Sequence, residues 1–393
     1  MIYNNTCNDD LSLLGYGMMR LPTLENGKID EVKTKELVDY AMSNGINYFD
    51  TAWPYHGGES EVITAKLLKS YPRESYRLAS KYPGHQIAES YDPADIFEEQ
   101  LKKCNVEYFD YYLLHNVYEK SIVTYMDEQW GILDYFREQK RLGRIKHLGF
   151  STHGSLDTMK KFLDYCGSDM EFCQIQLNYL DWTLQSAKEK YELLTEHNIP
   201  VWVMEPVRGG KLIKIPETII EELSSCRPDE TVAAWCFRFL QGLPNVKMVL
   251  SGMSNMEQLA DNIKTFSDMK PLDESELELV FKIAEGLKNS VPCTSCGYCV
   301  DGCPMGLNIP MFISMYNELR IAPSTNISMR VEALPEEKQP ASCISCGACT
   351  SICPQNLDIP KHLSDFAQEL KKLPSWAEIS RQRAEAAAKL KNK

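Results

Sequence analysis

Apolar and polar positions follow two rhythms along the chain. Through the first 270 residues, short runs dense in Val, Ile, Leu, Phe and Tyr recur, each reading as a buried strand: LSLLGYG (11–17), INYFD (46–50), YRLASK (76–81), YFDYYLLH (108–115), IKHLGFS (145–151), FCQIQL (172–177), VWVMEP (201–206) and VKMVLSG (246–252). Between them lie longer segments whose apolar residues return every three or four positions, among them TKELVDYAMSNG, ADIFEEQLKKC, MDEQWGILDYFREQKRLG and AKEKYELLTEHN. That is the spacing of helices with one buried face. Eight strand–helix pairs predict an α/β fold of the closed (β/α)8 barrel type rather than an open doubly wound sheet. The open sheet's G-x-G-x-x-G fingerprint is also missing, since Gly15 and Gly17 are followed by Met18, Met19 and Arg20.

Near residue 271 the rhythm changes. PLDESELELVFKIAEGLKN begins with a proline and an acidic first turn, then runs as an amphipathic helix toward Cys293. Beyond it the pattern is helical and punctuated by proline, with no long alternating strand. The expected organisation is a barrel over 1–270 and a small, mainly helical domain over 271–393.

Composition narrows the function classes. With 42 basic and 55 acidic side chains the net charge is −13, which disfavours nucleic acid as a partner. The closing stretch RQRAEAAAKLKNK (381–393) is locally basic but reads as a frayed, Ala-rich helix. No window approaches the roughly 18 apolar residues of a membrane span. The N-terminus has neither a basic nor an apolar leader segment, so a soluble cytoplasmic protein is expected. Of the 14 cysteines, eight fall in two repeated clusters, and Cys7, Cys104, Cys166, Cys173, Cys226 and Cys236 are scattered. Reduced thiols and metal ligands fit that distribution better than disulfides.

In such a barrel chemistry belongs at the C-terminal strand ends. Strand two ends in Asp50 and is followed by Tyr55; strand three ends in Lys81 and strand four in His115. Together these suit carbonyl reduction. Hydride arriving at a carbonyl carbon leaves charge on oxygen, which needs a proton donor. Tyr55 is the candidate general acid–base. Lys81 is expected to draw its phenol pKa down, Asp50 to hold Lys81, and His115 to bond the carbonyl oxygen or relay the proton. Trp53, Tyr55 and Trp202 suggest an aromatic rim around a small carbonyl or alcohol substrate.

The segment YFDTAWPYHGGESE, with LASKY and YYLLH behind it, resembles the aldo-keto reductases over roughly residues 10–268. The resemblance implies a barrel enzyme dependent on NAD or NADP, with the catalytic tetrad on Asp50, Tyr55, Lys81 and His115. LGYGMMRLP is similar to the family's first strand and cofactor loop, which puts Gly17 and Met18 beside the nicotinamide. GFSTH places Ser151, and CQIQLNY places Gln174, at the positions that hold its carboxamide. The chain departs from the family where an aromatic ring stacks on the nicotinamide, because Met204 stands there. In the RGGK that follows, Arg208 and Lys211 are candidates for the pyrophosphate, with a solvated loop as the competing reading. At the last strand Gly252, Met253 and Gln258 occupy the region where relatives grip a 2'-phosphate, with Asn262 kept. NAD is credible on that basis, and NAD versus NADP stays open.

CTSCGYCVDGCP (293–304) and CISCGACTSICP (343–354) are two runs of C-x2-C-x2-C-x3-C-P, an iron–sulfur spacing. A single C-x2-C would serve zinc as well; two full runs point to two [4Fe–4S] clusters. Gly297 and Gly347 sit between ligands, where little room and unusual dihedrals are expected. CPMGLNIP and CPQNLDIP resemble the helical two-cluster ferredoxin modules appended to redox enzymes, and the ferredoxin-bearing branch of the aldo-keto reductases is similar to nearly the whole chain. In two-cluster ferredoxins the fourth cysteine of each run ligates the other cluster. Applied here, one cluster takes Cys293, Cys296, Cys299 and Cys353, and the other takes Cys343, Cys346, Cys349 and Cys303. Nicotinamide passes two electrons as hydride and each cluster normally one. A flavin would bridge them, but no flavin motif is present. A ferredoxin or flavodoxin is the candidate redox partner. The alternatives are structural or oxygen-sensing clusters, or an electron-transfer subunit with an idle barrel.

Overall fold

The computed structural model describes residues 1–86, 90–287, 291–321, 325–375 and 378. The basic stretch 381–393 lies outside them. The chain forms two compact units, Met1–Glu285 and Gly286–Lys393.

The first unit opens with an antiparallel hairpin, β1 (Tyr3–Thr6) and β2 (Asp9–Ser12), turned by Cys7 and Asn8 with φ of 54° and 62°. Eight parallel strands follow: β3 (Leu14–Gly17), β4 (Tyr48–Asp50), β5 (Arg77–Tyr82), β6 (Phe109–Leu114), β7 (Ile145–Thr152), β8 (Cys173–Gln176), β9 (Val201–Met204) and β10 (Val246–Ser251). They close into a barrel in sequence order, with β10 pairing back onto β3. Each expected apolar run supplies one barrel strand. The first run also contributes to the hairpin: Leu11 and Ser12 end β2, and the chain turns at Leu13 before Leu14 enters the barrel.

The hairpin closes the N-terminal end of the barrel. Leu11 is fully buried among Tyr48, Tyr111, Phe172, Trp202 and Met248. Asp9 holds Arg77 at 2.8 Å and accepts from the Tyr111 hydroxyl at 3.1 Å. Trp202 thus belongs to this core, its ring 4.8 Å from that of Phe172, and not to a substrate rim. Its two immediate neighbours in the strand face the opposite way, the ordinary consequence of strand alternation.

The surrounding helices start where caps are available. Asp92 accepts from the amides of Ala94 and Asp95 ahead of Pro93–Cys104, and Asn255 caps Met256–Thr265 through the amide of Gln258. The helix Glu274–Leu287, placed in the second domain by its sequence, packs on the barrel. Glu276 takes the Arg227 guanidinium with both oxygens at 2.6 Å, and Phe281 meets Phe239 with ring centroids 6.0 Å apart. The division accordingly falls at Glu285, not at 270.

The second unit contains helices Tyr298–Asp301, Ile309–Ile321, Thr325–Glu332, Ala348–Ser351 and Ile359–Leu370, and no strand among the described residues. Its two cysteine runs are folded alike. In each, the L-x-I-P segment sends its Leu and Ile inward: Leu307, Ile309, Leu357 and Ile359 are all buried with Phe312, Ile313, Leu363 and Phe366. No helix among the described residues is long and apolar enough to cross a membrane.

Candidate active site and cysteine centre

Four barrel side chains converge beyond the C-terminal ends of β4, β5 and β6. Lys81 Nζ is 2.5 Å from Asp50 Oδ1 and 2.8 Å from the Thr51 carbonyl, and stands 4.9 Å from the centre of the Tyr55 ring. Tyr55 begins a short turn whose next three residues, His56, Gly57 and Gly58, all have positive φ. That tight reversal sends the phenol back over the barrel. The His115 ring stands edge-on to it, centroids 6.0 Å apart. None of the four is more than 8% exposed.

Burial dominates their electrostatics. It raises the Asp50 carboxyl and lowers the Lys81 ammonium, each against the pull of its partner. It pushes the Tyr55 phenol well up, with Asp50 and Glu205 adding to the rise. The expected downward pull by Lys81 does not prevail: the ammonium spends itself on Asp50, and the carboxylate behind it opposes a phenolate. Tyr55 is therefore held as a protonated donor. His115 is held neutral by burial and by His85, Lys81 and His153.

Sequence reasoning passed over two of those histidines. His85 lies just past β5 with its ring 4.4 Å from that of His115, and His153 just past β7. The signal was available, since both occupy the strand-end positions that drew attention to the tetrad. In all three rings Nδ1 is buried without a partner. Burial lowers His85 and His153 to about 4. Their folded pKa lies below the unfolded value near 6.5, so the unfolded chain binds more protons between those limits. The stabilisation is complete above pH 6.5 and is lost as pH falls toward 4. Between pH 7 and 5, each imidazole is expected to withdraw about 2 kcal/mol. Denaturant titrations at stepped pH should show that loss, and the slope should flatten by about one proton in His153→Phe; an unchanged slope would count against a neutral His153.

The other expected contacts fall into two groups. Ser151 is the buried penultimate residue of β7 and Gln174 lies beside it in register on β8. The Ser151 hydroxyl accepts the Asn116 amide at 2.8 Å, and Gln174 Oε1 is buried without a partner. An unpaired carbonyl oxygen there suits the N–H2 of a carboxamide. Gly17 and the half-buried Met204 close β3 and β9 at the same end. The remaining residues are engaged in the fold. Met18 is fully buried, its amide donating to the Asp50 carbonyl at 2.8 Å and its carbonyl accepting from Ser60 Oγ at 3.1 Å. Arg208 is also fully buried, 3.2 Å from Asp181, and is neither a solvated loop residue nor poised toward a pyrophosphate. Asn262 bonds Ser251 Oγ at 3.0 Å, and Gln258 Oε1 accepts the Ser254 amide at 2.9 Å. Trp53 is half-buried, with Lys103 Nζ 3.8 Å above its ring.

In the second unit the eight cysteines line two pockets, four to each. Cys293, Cys296, Cys299 and Cys353 line the first. Cys303, Cys343, Cys346 and Cys349 line the second, and Ile309 borders both. Among the described residues no three His, Cys, Asp or Glu side chains stand close enough to share one metal ion. Thiols spread around a cavity suit a multi-atom cluster. Backbone amides already point at sulfur, from Ser295 to Cys293 at 3.4 Å and from Leu307 to Cys303 at 3.5 Å. Gly297 and Gly347 have φ of 88° and 77°, and a Cβ at either would meet no atom within 4 Å. The requirement there is the left-handed backbone, not the crowding expected.

The aldo/keto reductase family model matches residues 13–285, about two-thirds of the chain. The chain belongs to the aldo/keto reductase family. Residues 292–357 match the 4Fe-4S dicluster domain, so an aldo/keto reductase barrel is fused here to a ferredoxin-type unit. The probable aldo-keto reductase 1 of Glycine max is 29% identical over 209 residues, 51% of this chain and 57% of that protein. The uncharacterized oxidoreductase YqkF of Bacillus subtilis is 27% identical over 303 residues, 70% of this chain and 92% of its own. Among solved aldo-keto reductases, the holo form of AKR11C1 from Bacillus halodurans superposes with a TM-score of 0.59 at 24% identity, over 72% of this chain and 96% of that one. This kinship makes the protein an oxidoreductase.

Proposed function

We propose that the barrel interconverts a small carbonyl compound and its alcohol with NAD(P)(H), Tyr55 serving as general acid and base. The second unit, in this reading, holds two [4Fe–4S] clusters that exchange electrons with a redox partner. The observation that carries the first half is the meeting of Asp50, Tyr55, Lys81 and His115 at one buried point. Gln174, with its unpartnered oxygen, supplies a seat for the cofactor's carboxamide beside it.

When bound, the nicotinamide supplies the hydride. The chain's own groups do the rest. Neutral His115 bonds the carbonyl oxygen and orients it toward Tyr55. The protonated phenol gives its proton to that oxygen as charge develops there. Lys81, fixed by Asp50 and the Thr51 carbonyl, stabilises the phenolate left behind. Because burial raises the phenol, the donor form that reduction needs persists at neutral pH, and the phenolate that accepts a proton in alcohol oxidation forms only at more alkaline pH. Gln258 and Asn262 are uncharged and occupied within the fold, which makes NADH the first cofactor to test.

The two cysteine-lined cavities support the cluster half. One face of the second run is accessible: Cys346 is exposed, and Ile344 and Ile352 beside it are 60% and 52% exposed. Electron exchange needs such a close approach. The test is anaerobic: the purified protein should be brown, its cluster absorbance should bleach on adding NADH, and it should turn over small aldehydes. Turnover with an unchanged spectrum sinks the coupling and leaves the barrel reading standing. Colourless, zinc-loaded protein removes the clusters.

A further inference from the structure

The two cysteine runs fold alike but are not equally covered. In the first, Thr294 is 2% exposed and Cys296 is half-buried. At the matching places in the second, Ile344 is 60% exposed and Cys346 faces solvent. Water therefore stands nearer the pocket of Cys303, Cys343, Cys346 and Cys349 than the pocket of Cys293, Cys296, Cys299 and Cys353.

A second difference lies in the loops that leave the last cysteine of each run. Both turn in the same way: the Gly306 amide bonds the Cys303 carbonyl at 2.9 Å and the Asn356 amide bonds the Cys353 carbonyl at 3.0 Å, with φ of 60° and 51°. The first loop receives a cation. Lys338 Nζ donates to the Met305 carbonyl at 2.7 Å, and a Cβ on Gly306 would stand 2.8 Å from that ammonium. In the second loop Asn356 has its own Cβ at the corresponding place. Glycine at 306 thus meets two demands, a left-handed backbone and room for Lys338. Met305 lines the second pocket beside Cys303. Lys361, next to Pro360 on the same wall, spends its charge on Asp365 at 2.6 Å. Lys338 pairs with no carboxylate among the described residues, and Glu336 and Glu337 of its turn are exposed to water.

A cluster held by four thiolates is anionic, and each electron it takes adds one negative charge. Solvent and a nearby cation stabilise the more charged form, so both raise the reduction potential. Here both act on the second pocket. We propose that Lys338 sets an order between the two clusters: its ammonium, together with the exposure at Cys346, makes the cluster of the second pocket the stronger electron acceptor, and an electron delivered to this unit settles there. This order rests on reading the two pockets as [4Fe–4S] sites. Cysteine spacing is identical in the two runs and carries no such distinction; the side chain that supplies it lies 35 residues beyond Cys303.

Anaerobic titration of the full-length protein with dithionite, followed by electron paramagnetic resonance and absorbance against the measured potential, tests it without relying on turnover. Two one-electron steps are expected. Lys338→Gln keeps a donor for the Met305 carbonyl and removes the charge. It should lower the upper midpoint by about 60 mV, a tenfold loss of electron affinity, and leave the lower midpoint in place. Cys296→Ala with Cys353→Ala, which spares the four thiols of the second pocket, should keep the upper step and lose the lower. Coincident steps, an upper midpoint unmoved in Lys338→Gln, or survival of the lower step in the double variant each overturn the order while leaving the clusters in place. Clusters that take up no electron overturn it as well. If the double variant assembles no cluster, Lys338→Gln decides alone. Absence of iron from the unaltered protein removes the cluster reading itself, and the order with it.

Discussion

Tyr55→Phe should lower kcat for carbonyl reduction by about a thousandfold, the scale of losing a positioned general acid, while NADH affinity changes little. The substitution removes one oxygen from a side chain that is 8% exposed. The ring, with Lys81 Nζ 4.9 Å from its centre and His115 beside it, is retained. Packing is therefore preserved and the proton donor alone is lost. Single-turnover reduction under saturating NADH separates the chemical step from binding. A variant that keeps more than a tenth of the rate would remove Tyr55 as the acid and turn attention to His115. The raised phenol adds a second expectation: reduction by the unaltered protein should hold its rate from neutral pH to about 10, because the donor stays protonated until pH passes its elevated pKa.

The second large effect concerns the crossed cysteine sets. Cys353 lines the cavity of Cys293, Cys296 and Cys299, although 50 residues of chain separate it from Cys303, its counterpart in the first run. Two double substitutions distinguish crossed from uncrossed ligation by iron content, taking two four-iron clusters, about eight irons per chain, as the reference. Cys296→Ala with Cys353→Ala strips two ligands from one cavity and should leave about four irons. Cys346→Ala with Cys353→Ala strips one ligand from each cavity and should leave markedly fewer, with both clusters' absorbance diminished. If ligation follows each run in sequence, the two results exchange places. Anaerobic iron and sulfide analysis, read beside the spectrum, decides it.

Much of this architecture was legible before any coordinates. The eight apolar runs are each a barrel strand because a strand buried on both faces must be apolar nearly throughout, and that requirement is written into consecutive residues. The tetrad was legible for a related reason: Asp50, Lys81 and His115 are polar residues at the ends of strands that are otherwise apolar. What the runs concealed was local. LSLLGYG carries no mark of the turn at Leu13, since Leu11 and Leu14 are both buried, one in the hairpin and one in the barrel. Trp202 looked like a rim residue because an isolated tryptophan does not declare which side of a strand it occupies. The helix Glu274–Leu287 looked like a new domain because its bond to Arg227, 49 residues earlier, is invisible in sequence.

By itself, then, the sequence determined the barrel and marked out the candidate tetrad and the two cysteine runs, since each rests on local spacing and on residue type. Tertiary structure alone decided how those groups behave. Desolvation holds Tyr55 protonated against a nearby ammonium and holds three histidines neutral, and its size depends on what the fold packs around each group, not on which residues adjoin it in the chain. The same holds for the cations. Arg208 reads as a loop cation in the sequence, yet Asp181 draws it fully into the interior, because charge partners are chosen by proximity in space.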